Sequence, residues 1–174
     1  MDILAHGLWT NTVFYKKYKN NKKNRYLAVL FGILPDIASF APATLYLFIV
    51  GKNFSPELFN SSLWMFRWAE NSYNFTHSLV IFIFTLIIIT AIRKGRIYWP
   101  MFGWALHILI DILTHVDFYE TPFLYPISNY HFSHGIQWAA PGFMIINYGL
   151  LVFIYLFWFL ILKKRKNDTN APNQ

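Results

Sequence analysis

Residues 142–162 form an almost entirely apolar run of 21 residues, and Lys163-Lys164-Arg165-Lys166 follow it directly. About 20 apolar residues in a helix cross the roughly 30 Å hydrocarbon layer of a bilayer. Inside that layer every backbone polar group must be paired within the protein, so a spanning segment of this kind is helical. The run therefore predicts a membrane protein. The rest of the chain agrees: hydrophobic residues make up 56% of it and charged residues only 13%, against about 25% charged in soluble domains.

Three further segments read as spans. Residues 26–50 form one, carrying Gly32, Pro35 and Asp36, and the proline predicts a helix break beside the aspartate. Residues 78–92 form a short one, whose helix is expected to begin a turn earlier, near Asn74. Residues 97–115 form the last and carry His107 and Asp111. Residues 3–15 are too few to cross and predict a half-inserted helix. The expected fold is thus an all-α polytopic bundle of about four transmembrane helices plus a short N-terminal one. Residues 1–166 would form one membrane-embedded domain, with a disordered polar tail over 167–174.

The basic residues give an orientation. Six Lys/Arg lie between Lys16 and Arg25, three are Arg93, Lys94 and Arg96, and four begin the tail. Placing these blocks inside puts 13 of the 15 Lys/Arg in the cytoplasm, with Lys52 and Arg67 outside, as the positive-inside rule requires. The C-terminus is then cytoplasmic. The net charge of +7 reads as membrane anchoring, so no nucleic-acid partner is expected. The N-terminus does not have the order of a cleavable signal, because its basic run follows the apolar stretch. Residues 56–70 carry Trp64 and Trp68 and predict a helix lying in the interface. The proline-rich loop over 116–141 is expected to be ordered across the outer mouth. Asn74-Phe75-Thr76 matches a glycosylation pattern, which is too short to carry weight.

The chemistry is concentrated in His107-x-x-x-Asp111-x-x-x-His115. Steps of four residues rotate by only about 40° around a helix, so the three side chains share one face. Ionisable residues at membrane depth are costly and normally face the bundle interior with partners. Asp36, at the proline, His77, at the outer start of its span, and His6, on the short first helix, could meet this face. With no cysteine in the chain, any metal here takes imidazole and carboxylate ligands, a set that suits zinc, with manganese or iron as alternatives. His115 could instead cap its helix. His131 and His134 are loop residues that could join the site, and Asp2 reads as solvated.

Met1-Asp2-Ile3-Leu4-Ala5-His6, Gly32-x-x-Pro35-Asp36, Thr76-His77-Ser78 and His107-x-x-x-Asp111-x-x-Thr114 occur in that order, followed by Pro122-Phe123-Leu124-Tyr125-Pro126-Ile127-Ser128. Over residues 1–140 the chain resembles a family of bacterial inner-membrane-associated predicted metal-dependent hydrolases, also labelled LexA-binding. The order of His and Asp residues is also similar to that of zinc-dependent phospholipase C and the fungal single-strand nucleases. That resemblance implies metal ligation by His6, Asp36, His77, His107 and Asp111, with Asp111 bridging two ions and His115 a further candidate. A downstream His-x-x-x-Glu of that group is absent, since Trp138 stands four places after His134.

The resulting expectation is a membrane-bound metal-dependent hydrolase in which Asp36, His107 and Asp111 act on a phosphoester of a lipid or lipid-linked substrate. Two other readings fit the same residues. One is a proton- or ion-coupled transporter using a His/Asp relay. The other is a structural module in which these residues lock helices together.

Overall fold

The computed structural model describes residues 1–53, 62–116 and 120–169, with side chains to residue 161. Among the described residues there are six α-helices and no strand. They are α1 (Ile3–Phe14), α2 (Lys22–Val50), α3 (Trp64–Thr76), α4 (Leu79–Ile92), α5 (Phe102–Thr114) and α6 (Pro141–Thr169). A 3₁₀ turn, Trp99–Met101, leads into α5. The chain divides into two compact units, Met1–Trp138 and Ala139–Gln174.

Local chemistry sets the helix ends. Asp2 is not simply solvated: its Oδ1 accepts from the Ala5 N–H at 3.0 Å and caps α1. The Asn21 side chain caps α2 through the Asn24 N–H, at 3.0 Å. Gly51 closes α2 with φ +64°, a left-handed conformation that glycine adopts without penalty. Ser78 caps α4 by accepting from the Ile81 N–H at 3.2 Å.

Two helices, α2 and residues Pro141–Ile161 of α6, are long and apolar enough to cross a membrane. The pair α3 and α4 adds a third only if it is counted as one span bent by 64°. The expectation of about four spans is corrected accordingly. Trp99–Thr114 is too short to pass the same test. Asn74 does not begin α4, because it belongs to α3, and the chain breaks at His77-Ser78, where the Ser78 cap starts a new helix. The interfacial segment expected over 56–70 lies outside the described residues as far as 61, and the remainder enters α3, whose Trp64 and Trp68 are exposed. Helix α6 runs to Thr169; residues 170–174 lie outside the description.

The expected break at Pro35 is also corrected, since α2 continues through both Pro35 and Pro42. A helical proline frees the carbonyl four residues earlier. For Pro42 that carbonyl belongs to Ala38, and the Trp68 indole N–H of α3 donates to it at 2.9 Å. Such outside partners are what allow prolines within membrane helices.

Within the first unit, α2 packs against α1, α3 and α5. Small residues permit the close approach, as is common between membrane helices. A Cβ on Gly103 would stand 2.1 Å from the Ala28 carbonyl oxygen, and one on Gly32 would stand 2.3 Å from Thr10 Oγ1. Ala5, Ala28, Ala43 and Ala69 are fully buried. The described part of the 116–141 loop is tied to the helix ends. The Leu79 N–H donates to the Phe123 carbonyl at 2.9 Å, and Ile136 and Trp138 N–H groups donate to the Leu113 and Thr114 carbonyls, each at 2.9 Å. Helices α1, α3 and α5 thus meet on α2.

Candidate metal centre

His107 and Asp111 lie one turn apart on α5, Asp36 follows Pro35 on α2, and His77 sits at the bend between α3 and α4. One ligand atom from each lies within 4.8 Å of all the others. His77 Nε2 is 3.0 Å from His107 Nε2. Asp36 Oδ1 is 3.4 Å from His77 Nε2 and 3.6 Å from His107 Nε2. Asp111 Oδ2 is 3.5 Å and 3.1 Å from the same two nitrogens. A tetrahedral ion with bonds of about 2.0–2.2 Å needs ligand atoms about 3.3–3.6 Å apart. The five separations scatter around that range.

The second nitrogen of each imidazole shows which atom is available. His107 Nδ1 is 2.8 Å from the Gly32 carbonyl, an acceptor only, so it carries the proton. His77 Nδ1 is 3.2 Å from the Tyr73 carbonyl and 3.0 Å from Thr76 Oγ1. The Thr76 hydroxyl is itself 2.9 Å from the Ser72 carbonyl, to which it donates, so it can accept from His77. In the neutral rings both Nε2 atoms therefore present lone pairs, and they face each other and two carboxylate oxygens. Four electron pairs converging at these distances repel unless a cation stands between them. Backbone-anchored Nδ1–H groups of this kind are the usual orienting contacts of metal-bound histidine. The donor set fits a divalent metal.

His6 and His115 approach the other oxygen of Asp111. His6 Nε2 is 2.9 Å from Asp111 Oδ1, and its ring stacks on His107 with centroids 3.8 Å apart. His6 Nδ1 is buried and has no hydrogen-bond partner among the described residues. His115 Nε2 is 3.5 Å from the same oxygen. His115 is the C-terminal cap residue of α5, and its Nδ1 lies 3.2 Å from the Tyr73 hydroxyl. The Met1 nitrogen is 2.5 Å from Asp111 Oδ1 and 3.2 Å from Thr114 Oγ1. Each oxygen of Asp111 thus meets its own pair of imidazoles. His77, His107, His6 and Asp111 are fully buried, and the Asp36 side chain is 12% exposed.

The two loop histidines stand apart from this group. His131 faces Glu120 at 3.8 Å and is about one-third exposed. The His134 ring lies against Phe132, with centroids 5.9 Å apart. Neither belongs to the converging set. Sequence reasoning missed two positioning residues, Tyr73 and Gly103, and gave Gly32 and Thr76 no orienting role. Their signal is a four-residue step from a ligand or its neighbour, as in Tyr73-x-x-x-His77 and Gly103-x-x-x-His107.

A cavity of about 560 Å³ adjoins the cluster, lined in part by Asp36 and His115.

Two apolar helices of membrane-crossing length, together with a buried His/Asp cluster in the first unit, define a helical membrane protein with the donor set for a metal ion. The chain belongs to the YdjM inner membrane protein family, whose model matches residues 1–170. Comparisons with curated proteins and with solved structures found no match.

Proposed function

We propose that the protein is a metal-dependent hydrolase of the inner membrane, acting on a phosphoester of a lipid or lipid-linked substrate. The observation that carries this reading is the convergence of Asp36, His77, His107 and Asp111 within 4.8 Å. The similarity to zinc-dependent phospholipase C noted in the sequence agrees with it. Zinc is the preferred ion, with manganese or iron as alternatives. Asp36, His77, His107 and Asp111 Oδ2 hold one ion. Asp111 Oδ1, with His6 and His115, would hold a second ion once the Met1 amine, 2.5 Å from that oxygen, is displaced or itself ligates; Asp111 would then be shared between the two.

A bound ion of this kind lowers the pKa of its water to about 7 and so supplies hydroxide at neutral pH. The chain's own groups do the rest. Gly32, Tyr73 and Thr76 fix the imidazole rings. His107 and Asp111 place the ion from one turn of α5. Asp36, the only partly exposed member of the four, stands where substrate arrives from the cavity. It would accept the proton that the ion-bound water gives up, leaving the hydroxide that attacks phosphorus. It then returns that proton to the departing alcohol oxygen as the old P–O bond breaks. The basic blocks set the C-terminus in the cytoplasm.

The test uses purified protein loaded with zinc, manganese or iron and assayed on phospholipid diesters in mixed micelles. Phosphoester cleavage is expected to vanish with a chelator, to return with metal, and to be lost in Asp36→Asn, which removes one of the four converging donors. Absence of turnover with all three metals on phosphodiester and phosphomonoester lipids would refute the hydrolase. Proton flux in vesicles that disappears in Asp36→Asn would point to the transporter instead.

A further inference from the structure

The cavity beside the cluster has a shape that the hydrolase reading does not use. Its walls on α2 come from Asp36, Ile37, Phe40, Ala41 and Thr44. These residues form one stripe, because steps of one, four, five and eight residues from Asp36 stay within about 140° around a helix. From Asp36 to Thr44 the stripe is about 12 Å long at 1.5 Å per residue. Trp138 and Ile3 complete much of the remaining apolar wall. A volume of about 560 Å³ falls within the roughly 300–1,000 Å³ of small-molecule sites.

An apolar trough along a membrane-crossing helix lies where the surrounding solvent is hydrocarbon. Asp36 stands midway along α2 and the stripe runs from it toward the Val50 end, so a chain lying in the trough carries its polar linkage to the depth of the cluster. A tail leaving lipid for this trough gains little from the hydrophobic effect, since lipid is as apolar as the wall. Selection must therefore come from fit. The smallest side chains on the stripe are those of Ala41 and Thr44.

We propose that this cavity holds one hydrocarbon chain of a membrane lipid with the lipid's polar linkage at Asp36, and that Ala41 and Thr44 set the size of chain admitted. The proposal rests on the hydrolase reading for the identity of the linkage, and the trough itself can be tested without turnover. Filling it at Ala41 removes the space for the chain while leaving every candidate ligand in place.

The experiment reconstitutes the full chain in vesicles of phosphatidylethanolamine and phosphatidylglycerol. A small fraction of phosphatidylethanolamine carries a photoreactive diazirine in one acyl chain. After irradiation, labelled peptides are mapped by mass spectrometry. Labelling is expected to concentrate on residues 37–44 and Trp138, and to fall at least five-fold there in Ala41→Trp. Thr44→Leu, a milder filling, should lower labelling less and shift it toward shorter-chain probes. Ile49→Trp, on another face of α2 where Ile49 is 72% exposed, should leave labelling at 37–44 unchanged. Labelling spread evenly over exposed apolar residues such as Phe48 and Ile83, or undiminished in both cavity variants, would overturn the proposal. Concentrated labelling that is lost in Ala41→Trp, in a protein that cleaves nothing, would uphold the trough while removing the hydrolase.

Discussion

Replacing Gly103 by alanine should weaken metal binding without touching a ligand. A Cβ at this position would stand 2.1 Å from the Ala28 carbonyl oxygen and 3.1 Å from the Gly32 backbone nitrogen. Both obstacles are backbone, so no side chain can swing aside, and α5 must retreat from α2. Ordinary contact distances require a retreat of about 1 Å. His107 lies one turn further along α5, and its Nδ1 bond to the Gly32 carbonyl is 2.8 Å. The same retreat carries that bond past the 3.5 Å limit of a useful hydrogen bond. Loss of such an orienting contact typically lowers metal affinity by about 10–100-fold. Overpacking a tight interface costs about 1–3 kcal/mol of stability. The assay is zinc competition against a chelator of known affinity, alongside thermal unfolding in detergent. Gly149→Ala serves as the control, because a Cβ there meets nothing within 4 Å. Wild-type affinity and melting temperature in Gly103→Ala would refute the claim that this helix contact positions His107.

Three other outcomes follow from the same contacts. Trp68→Phe strips the donor from the Ala38 carbonyl that Pro42 leaves open, and should cost about 1–3 kcal/mol in thermal unfolding; adding Pro42→Ala, which restores a helical N–H, should recover most of that loss in a double-mutant cycle. Ser78→Ala removes both the α4 cap and the bond to the Tyr125 carbonyl, and should lower stability by about 0.5–2 kcal/mol, measured by chemical unfolding. His6→Ala should release metal held at Asp111 Oδ1 while sparing that held by His77 and His107. Elemental analysis should then read one ion fewer per chain than in the parent, and an unchanged count would exclude a second position there.

The parts of this molecule that were legible in the sequence are those set by local composition. The apolar runs over 26–50 and 142–162 announce α2 and α6, because spanning a bilayer is a matter of length and hydropathy. The step of four in His107-x-x-x-Asp111-x-x-x-His115 announces a shared face, because helix geometry fixes it. The errors came where distant partners decide. Pro35 suggests a break, yet α2 continues through both of its prolines; the Ala38 carbonyl that Pro42 frees finds a donor in Trp68, a residue far along the chain. The start of α4 was misplaced because hydropathy is blind to the Ser78 cap that ends one helix and begins another. His6 and Asp36 carry no local sign of their neighbours. Their meeting depends on Gly32 and Gly103, whose missing side chains let α1, α2 and α5 close together.

The central claim is that a divalent ion stands between Asp36, His77, His107 and Asp111. Zinc-edge X-ray absorption on the zinc-loaded protein measures it directly. The account predicts nitrogen and oxygen ligands near 2.0–2.2 Å with imidazole scattering, and loss of that signal in Asp111→Ala. A spectrum of hydrated, loosely held zinc, or one unaltered by Asp111→Ala, would contradict it.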